Sequence, residues 1–442
     1  MSYEFIALLM FASMMLLLLT GQRVFAVIGF VGSAAALLLW GDGSAELSFT
    51  SAMKLMKWYP MLTLPLFVFM GYMLAESRIA DDLYKMFHVW MGPLRGGLAV
   101  GTILLMVIIS AINGLSVAGM AVGATIAMPE LLRRGYDKIM VTGVIQAGST
   151  LGILVPPSVV LVLYGMIARQ PVGHLWMAGV FPGLLMAALF IVYIVVRNLL
   201  QPELGPPLSK EERAQYSWAD RIALLRGGII PLAIFISMTG LFLTGVTSLV
   251  ESSAVGATAS VLAAIVRGRM TWKVLHDTTR KTLGVSCMFM WILLAALCFG
   301  AVFDGLGAVK SIEHLFVGEM HLDRWTILIL MQLTFLILGV FLDDTAMLVI
   351  VAPLFIPLAG ALGFDLVWYG VLYTITCQVA YLTPPFGYNL FLMRSMAPPE
   401  ITLTDIYRSV VPFVGLMILT LVIIGIFPEI ATWLPNHFYG ND

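Results

Sequence analysis

The residue types that could bind a ligand in this 442-residue chain gather around two pairs of consecutive prolines, Pro156-Pro157 and Pro384-Pro385. Each pair interrupts an apolar stretch of helical length. Because proline has no backbone N–H, the carbonyl group four residues earlier in a helix loses its hydrogen-bond donor. A carbonyl without a donor in a bilayer costs several kcal/mol, so a cation, a water molecule or a neighbouring segment must pair with it. The carbonyls predicted to be freed are those of Gly152, Ile153, Ala380 and Tyr381.

Hydroxyl and amide groups lie close to both proline pairs. Ser149 and Thr150 precede the first pair, Thr383 directly precedes the second, and Asn389 follows it by about one turn. Oxygen ligands suit a hard cation such as Na⁺. The competing interpretation is that each pair only kinks a helix, with Ser, Thr or water rescuing the carbonyls. A broken helix that occurs twice at matching positions favours the cation site.

Three carboxylates also fall in apolar surroundings. Asp343 and Asp344 are adjacent, and a carboxylate at membrane depth is costly enough to indicate a cation ligand or an electrostatic lure. Alternatively, one of the two caps the following helix, where the helix dipole favours an acidic side chain; the two roles are compatible. Glu251 follows Ser248 by three residues, a spacing typical of a capping box, which favours a structural role there.

The composition predicts an all-α polytopic membrane protein. Hydrophobic residues make up 60% of the chain and charged residues 11%, with a mean hydropathy of +0.98. Soluble globular proteins do not have this composition, and the lack of a basic tract argues against a nucleic-acid partner. Apolar stretches of spanning length predict helices at 4–20, 24–40, 61–75, 139–168, 174–196, 229–245, 250–266, 284–303, 366–393 and 409–434.

Two further apolar stretches, 98–132 and 325–362, contain polar breaks at 110–116 and 339–345. Each limb is marginal for a full span, so we expect two re-entrant hairpins whose tips are surrounded by protein or by a water-filled cavity. The only long hydrophilic stretch, 197–226, is interpreted as a solvated linker.

We call the number of residues between the first proline pair and the second the repeat offset. Other turn residues are separated by the same number of residues. The residues matched in this way are Pro129 with Pro357, Gly135 with Gly363, and Asp137 with Asp365. Each half has an odd number of net crossings, which predicts that the second half is inserted upside down, as in secondary transporters. The chain then divides into a first inverted repeat at 1–200, a cytoplasmic linker at 201–227 and a second inverted repeat at 228–442.

The distribution of Lys and Arg predicts the orientation. With the N-terminus outside, the inside loops contain 19 of the 24 Lys and Arg residues, as the positive-inside rule requires. Both termini are therefore expected outside. The first apolar run lacks a basic start and a small-residue cleavage site, so it is predicted to be a retained helix.

Enzymatic chemistry is disfavoured. No phosphate-binding loop, His-Glu metal motif or nucleophile elbow occurs on a suitable scaffold. Cys287, Cys298 and Cys377 lack metal-ligand spacing and are expected to be buried structural thiols.

Four segments together resemble a known family. They are 128–137 (MPELLRRGYD), 147–158 (AGSTLGILVPPS), 341–345 (FLDDT) and 382–389 (LTPPFGYN). In this order, and over nearly the whole chain, the sequence resembles the large membrane subunit of TRAP transporters, the tripartite ATP-independent periplasmic transporters. The resemblance implies an elevator-type, Na⁺-coupled importer of an organic anion, such as a carboxylate, dicarboxylate or sugar acid, in a bacterial inner membrane. It also implies a small four-helix membrane subunit and a periplasmic substrate-binding protein as partners, with Na⁺ as coupling ion and no other cofactor.

In this family the hairpin tips and the proline-broken helices form the binding sites. Together with the freed carbonyls, the resemblance points to a Na⁺ set of Ser110, Gly114, Ser149, Thr150, Gly152, Ile153, Pro156, Asp343, Thr345, Ala380, Thr383 and Pro384. The substrate set is Asn113, Ser116, Ser158, Asp344 and Asn389. The chain departs from the family at Asp344, where proline is usual, and at the first tip, which usually contains more serine.

Other functions remain open from the residues alone. One is a stand-alone carboxylate carrier of the wider ion-transporter group, and another is coupling to protons rather than Na⁺. A third is a membrane scaffold or enzyme whose prolines only shape a cavity.

Overall fold

The computed structural model describes residues 3–20, 22–41, 43–114, 116–209, 211–212, 215–307, 322–339, 344–384 and 387–440, and these ranges contain helices and no β-strand. The α-helices are α1 Tyr3–Leu19, α2 Val24–Ala35, α3 Ser44–Met56, α4 Thr63–Glu76, α5 Ile79–Met91, α6 Gly97–Asn113, α7 Ser116–Val122, α8 Met128–Arg133, α9 Lys138–Thr150, α10 Val159–Ala168, α11 Val172–Leu200, α12 Trp218–Leu243, α13 Leu249–Val266, α14 Trp272–Gly305, α15 Arg324–Gly339, α16 Asp344–Ala361, α17 Leu366–Tyr381, α18 Tyr388–Met396, α19 Leu403–Ile426 and α20 Glu429–Tyr439. Short π turns lie at Ala36–Trp40 and Gly123–Ala127, and 3₁₀ turns lie at Tyr59–Leu62, Leu151–Ile153 and Pro202–Leu204.

Five helices in the described ranges, α11, α12, α13, α14 and α19, are long and apolar enough to cross a membrane. All five start earlier than their apolar patterns indicate, and the difference is largest for α12 and α14, where polar caps set the start. Ser217 and Asp220 form a capping box at the start of α12, and Thr271 accepts a hydrogen bond from the backbone N–H of Val274 at the start of α14. The predicted span 409–434 is instead two helices, α19 and α20, which meet at Pro428.

The linker predicted at 201–227 is only in part a solvated connection. The spanning helix α12 already begins at Trp218, inside it. The first residues of the linker pack along the protein. The backbone N–H of Gly96 donates to the carbonyl of Gly205 at 2.9 Å, and the backbone N–H of Asp137 donates to the carbonyl of Leu204 at 3.0 Å. A chain whose backbone groups pair in this way is a fixed strap and not a free connector.

An ion pair extends this strap towards the base of the first hairpin. Arg134, at the end of α8, lies 2.8 Å from Glu212, joining Nη1 to Oε2. The hydrogen bond from Arg134 holds the pKa of the Glu212 carboxyl below its ordinary value. Because Glu212 is exposed, the pair contributes little stability and mainly fixes position.

The turn residues matched at the repeat offset have the same structural role in both halves. Gly135 and Gly363 adopt positive φ angles of 77° and 76°, a conformation that favours glycine. Asp137 caps α9 through the backbone N–H of Met140, and Asp365 caps α17 through that of Trp368. The sequence identities at these positions therefore reflect one helix–turn–helix geometry used twice.

Helix bounds and packing also repeat at this offset. It carries Lys138 at the start of α9 onto Leu366 at the start of α17, and it places α10 on α18. The halves exchange equivalent contacts: α7 packs against α18 while α10 packs against α16, and α2 packs against α14 while α13 packs against α4. Contacts that are exchanged in this way are typical of a two-fold relationship.

Two smaller expectations have opposite outcomes. Ser248 and Glu251 form the predicted capping box at the start of α13, with Ser248 N donating to the Glu251 carboxylate at 2.7 Å. Cys298 and Cys377 are buried, but Cys287 is exposed on α14, which corrects the expectation that it would be buried.

The helix that precedes the second proline pair, α17, is anchored by a buried tryptophan, Trp368. Its Nε1 donates to the carbonyl of Ile424 on α19 at 2.8 Å, and its ring packs against Trp325 and Phe364. Trp368→Ala should lower the free energy of unfolding by about 3–5 kcal/mol, as expected for a large buried ring, measured as a lower melting temperature in detergent. Trp272→Ala is the control, because Trp272 is 80% exposed. Equal melting temperatures for the two variants would contradict this anchoring role.

Candidate functional site

The first broken helix opens within a fully buried segment. α9 ends at Thr150, a 3₁₀ turn follows at Leu151–Ile153, and α10 begins at Val159. The Pro156-Pro157 bond between them is cis. Because proline has no backbone N–H to donate, the pair prevents the helix from continuing, and the predicted span 139–168 is two short helices with an irregular turn between them.

The carbonyls freed by the first pair have different fates. The Ile153 carbonyl accepts a hydrogen bond from the Ser158 hydroxyl at 2.5 Å, which corrects the prediction that it would be free. Ser158 also caps α10 by accepting from Leu161 N at 3.2 Å, so its proton is already used and only a lone pair remains for a substrate. The Gly152 carbonyl would pair with Pro156 in a regular helix, and no group in the described residues donates to it.

The second broken helix is built differently. α17 ends at Tyr381 and α18 begins at Tyr388. The Thr383 hydroxyl donates to the Val379 carbonyl at 2.7 Å, and Thr383 N donates to Ala380 at 3.1 Å. The Ala380 carbonyl is thus occupied by a local turn, and the prediction that it would be free is wrong.

Thr383 and Pro384 stand near the protein surface, because Thr383 is half-buried and Pro384 is exposed. The chain returns through Gly387, where a side chain would not fit: a Cβ there would lie 2.6 Å from the Tyr381 carbonyl oxygen.

The first hairpin brings its tip against the first break. α6 continues through Ser110 to Asn113, so the tip is narrower than the predicted break at 110–116. Gly114 has a φ of +64°, and its carbonyl accepts from Val159 N at 3.4 Å. A Cβ on Gly114 would lie 2.7 Å from the Pro157 carbonyl oxygen. The tip is therefore glycine because it presses directly on the proline turn.

The second hairpin is described less fully. α16 begins at Asp344, with Thr345 in its first turn. Asp343 lies outside the described residues.

Three predicted site residues meet in one buried group, which we call the junction cluster: Ser116, Ser149 and Asn389. Asn389 Nδ2 donates to Ser116 Oγ at 2.9 Å and to Ser149 Oγ at 3.2 Å. Ser116 Oγ lies 3.4 Å from Ser149 Oγ and 3.3 Å from Asn389 Oδ1. The cluster joins the returning limb of the first hairpin to the broken helices of both halves. Thr150 lies beside it, with its hydroxyl donating to Ala147 at 2.7 Å.

A contact that the candidate set lacked lies next to this cluster. Gln378 of α17 is fully buried, and its Nε2 donates to the Thr150 carbonyl at 2.7 Å. Its Oε1 has no partner among the described residues. The available signal was that Gln378 is a polar residue in an apolar helix and stands one repeat offset after Thr150.

The chemistry of this arrangement is that of uncharged oxygen. Hydroxyl and amide groups meet in the junction cluster, and no Lys, Arg, Asp or Glu is among the buried residues whose side chains the structure describes. Such groups can coordinate a hard cation or hydrogen-bond a polar solute. They offer no fixed charge, nucleophile or general base within the junction cluster.

Comparisons with known proteins identify the family of this chain. The family model described as "Tripartite ATP-independent periplasmic transporter, DctM component" matches residues 11–430. The C4-dicarboxylate TRAP transporter large permease protein DctM of Pseudomonas aeruginosa is 29% identical over 413 residues, which cover 92% of this chain and 93% of that protein. The ectoine/5-hydroxyectoine TRAP transporter large permease protein UehC of Ruegeria pomeroyi is 26% identical over 98% of this chain and 99% of that protein.

A solved structure has the same overall fold. The YdaH transporter of Alcanivorax borkumensis superposes with a TM-score of 0.67 and 16% identity, over 97% of this chain and 99% of that one. The relatives are transport permeases and not enzymes, and the apolar helices make this a multi-pass membrane protein. The chain belongs to the tripartite ATP-independent periplasmic transporters, as their large membrane permease subunit, the DctM component.

Proposed function

We propose that this permease subunit imports an organic anion across the bacterial inner membrane by coupling its movement to Na⁺. A periplasmic binding protein delivers the substrate, and a small four-helix membrane subunit completes the transporter. Both termini lie on the periplasmic side. The observation that carries the proposal is the junction cluster, where Ser116, Ser149 and Asn389 bring uncharged oxygens from both halves together.

The charge of the site supports a co-bound cation. An unpaired carboxylate taken out of water into an apolar interior pays a large desolvation penalty. No Lys or Arg side chain is fully buried in the described residues to offset it. A cation that binds beside the anion supplies the missing charge, so neither solute enters well without the other.

The same oxygens favour Na⁺ over a proton. Proton coupling requires a side chain that titrates where the substrate binds. The side chains of the junction cluster and of the neighbouring Thr150 and Gln378 do not titrate near neutral pH. Among the candidate site residues, proton coupling would have to run through the carboxylates Asp343 and Asp344. Hydroxyl, amide and carbonyl oxygens can instead replace the hydration shell of a hard cation.

The substrate belongs to the small organic carboxylates and related anions. Relatives of similar length are named as permeases for C4-dicarboxylates, for ectoine and for sialic acid. Asn113, Ser116, Asp344 and Asn389 are our candidates for contacting it. Within the cluster, Asn389 Nδ2 and the Ser116 hydroxyl are the donors available for a carboxylate.

Movement follows from the two-fold exchange of contacts between the halves. Two halves inserted in opposite orientations can present one central site to either side of the membrane in turn. The pairs α7 with α18 and α10 with α16 bind each hairpin limb to the helix after the other half's break. We infer an elevator-type motion in which these elements travel together.

Uptake by the reconstituted transporter should depend on Na⁺. In proteoliposomes that contain this subunit, its small membrane subunit and the loaded binding protein, an inward Na⁺ gradient should drive substrate accumulation, and replacement of Na⁺ by K⁺ should abolish it. A pH gradient without Na⁺ is the control. Accumulation driven equally well by that gradient in K⁺ medium would replace Na⁺ coupling by proton coupling.

Removing a hydroxyl at either break should weaken Na⁺ binding. We expect Ser149→Ala and Thr383→Ala each to raise the Na⁺ concentration for half-maximal uptake roughly three- to tenfold, the effect of losing one oxygen ligand or hydrogen bond, with expression unchanged. Ser395→Ala removes an exposed hydroxyl on α18 and should leave the Na⁺ dependence as it is. Parallel losses of expression and Na⁺ affinity would indicate that the hydroxyls serve packing alone.

The close approach at the hairpin tip can be separated from the strain of its backbone. Gly114→Ala adds a methyl group that collides with the Pro157 carbonyl and should reduce uptake roughly tenfold or more, whereas Gly135→Ala adds one where nothing lies within 4 Å. Both residues have positive φ, so both variants carry the similar backbone cost of about 1–2 kcal/mol. Equal activity of the two variants would show that contact between the tip and the proline turn is dispensable.

A further inference from the structure

The broken helices α9 and α17 are joined by a buried side-chain hydrogen bond. Gln378 Nε2 donates to the carbonyl of Thr150, the last residue of α9, at 2.7 Å. In a continuous helix this carbonyl would accept from Leu154 N, but that N–H donates to Leu151 at 3.1 Å. Thr150 is the N-cap of the 3₁₀ turn Leu151–Ile153, so its carbonyl already accepts a hydrogen bond within that turn, and Gln378 of the other half of the chain adds a second one.

The position of this bond is special. Gln378 stands one repeat offset after Thr150, and the same offset relates α9 to α17 and α10 to α18. A residue that contacts its own equivalent lies beside the axis that relates two halves, as at the centre of an isologous interface. A movement of either half relative to the other must therefore strain or break the hydrogen bond between Gln378 and Thr150.

A second amide reinforces the connection. Asn389, which follows the second break, donates to Ser149 at 3.2 Å, while Gln378, which precedes that break, donates to Thr150. Gln378 and Asn389, one on each side of the second break, thus donate to Thr150 and Ser149, two consecutive residues before the first break. The first half does not return this contact through Thr150, because the Thr150 hydroxyl donates to Ala147 of its own helix.

We propose that Gln378 is a positioning residue that makes Na⁺ binding at the two breaks interdependent. This inference rests on the Na⁺ coupling proposed above. A cation held by the Gly152 carbonyl and the Ser149 hydroxyl fixes the turn that contains Thr150, and therefore fixes Gln378. Because Gln378 lies one turn before the end of α17, this also orders the turn at Thr383, where the second half would bind its cation. Binding at one break then raises the affinity of the other.

The test removes the donor and keeps the volume. Gln378→Met has nearly the same length as glutamine but cannot donate to Thr150. In reconstituted transporter, wild-type uptake should rise with Na⁺ concentration with a Hill coefficient above one. In the variant the coefficient should fall to one, and the Na⁺ concentration for half-maximal uptake should rise about tenfold, the factor that matches one lost hydrogen bond.

Gln332→Met is the matched control. Gln332 on α15 accepts a hydrogen bond from Thr376 at 2.6 Å, so its contact stays within the second half. This variant should keep the wild-type Hill coefficient. A general loss of packing would lower the amount of folded protein in either variant, but it would not change the steepness of the Na⁺ curve in Gln378→Met alone.

A measurement on the wild-type protein tests the same inference if a variant fails to fold. Hydrogen exchange as a function of Na⁺ should protect the amides of Leu154 and Val155 in the first break and those of Thr383 and Gly387 in the second with one common midpoint. Separate midpoints would overturn the inference, as would an unchanged Hill coefficient in Gln378→Met beside a Na⁺-dependent wild type. A wild type indifferent to Na⁺ would overturn both this inference and the Na⁺ coupling on which it rests.

Discussion

A backbone carbonyl that has lost its donor must find another one where water is scarce, and this requirement shapes the centre of the protein. Each proline pair removes donors between two helices that would otherwise be continuous. The Ser158 hydroxyl donates a hydrogen bond to the Ile153 carbonyl, Gln378 Nε2 donates to the Thr150 carbonyl, and Thr383 N donates to the Ala380 carbonyl. At Gly152 no described group does so, which leaves this oxygen available to a cation. Side chains and turns thus supply donors to the Ile153, Thr150 and Ala380 carbonyls.

The donors around the first break come from both halves, since Ser158 belongs to the first half. Gln378 and Asn389 belong to the second half, and they hold Thr150 and Ser149 from either side of the second break. The binding region consequently exists only when the two halves are packed together. This also explains why it contains amides and hydroxyls: uncharged groups can pair with each other at modest cost when the site is empty, whereas unpaired charges could not.

Local rules predicted the parts of this structure that depend on neighbours in sequence. Glycine with a positive φ followed by a capping aspartate is recognisable at Gly135 and Asp137 because the backbone itself imposes the residue types. The start of α12 was missed by the apolar pattern because a polar capping box, Ser217 with Asp220, sets it. The roles of Ser158 and Gln378 depend on which carbonyl lies opposite after folding, and no local pattern contains that information. Their partners could be identified only in three dimensions.

The central claim is that the two halves hold each other through the junction cluster, and a double-mutant cycle measures this directly. Ser116→Ala, Asn389→Ala and the double variant would be unfolded reversibly in mixed detergent micelles. The account predicts a coupling energy of roughly 0.5–3 kcal/mol between the two positions, whereas Ser116→Ala combined with Ser395→Ala, an exposed site on the same helix as Asn389, should be additive. Additivity within about 0.5 kcal/mol for Ser116 and Asn389 would contradict the account.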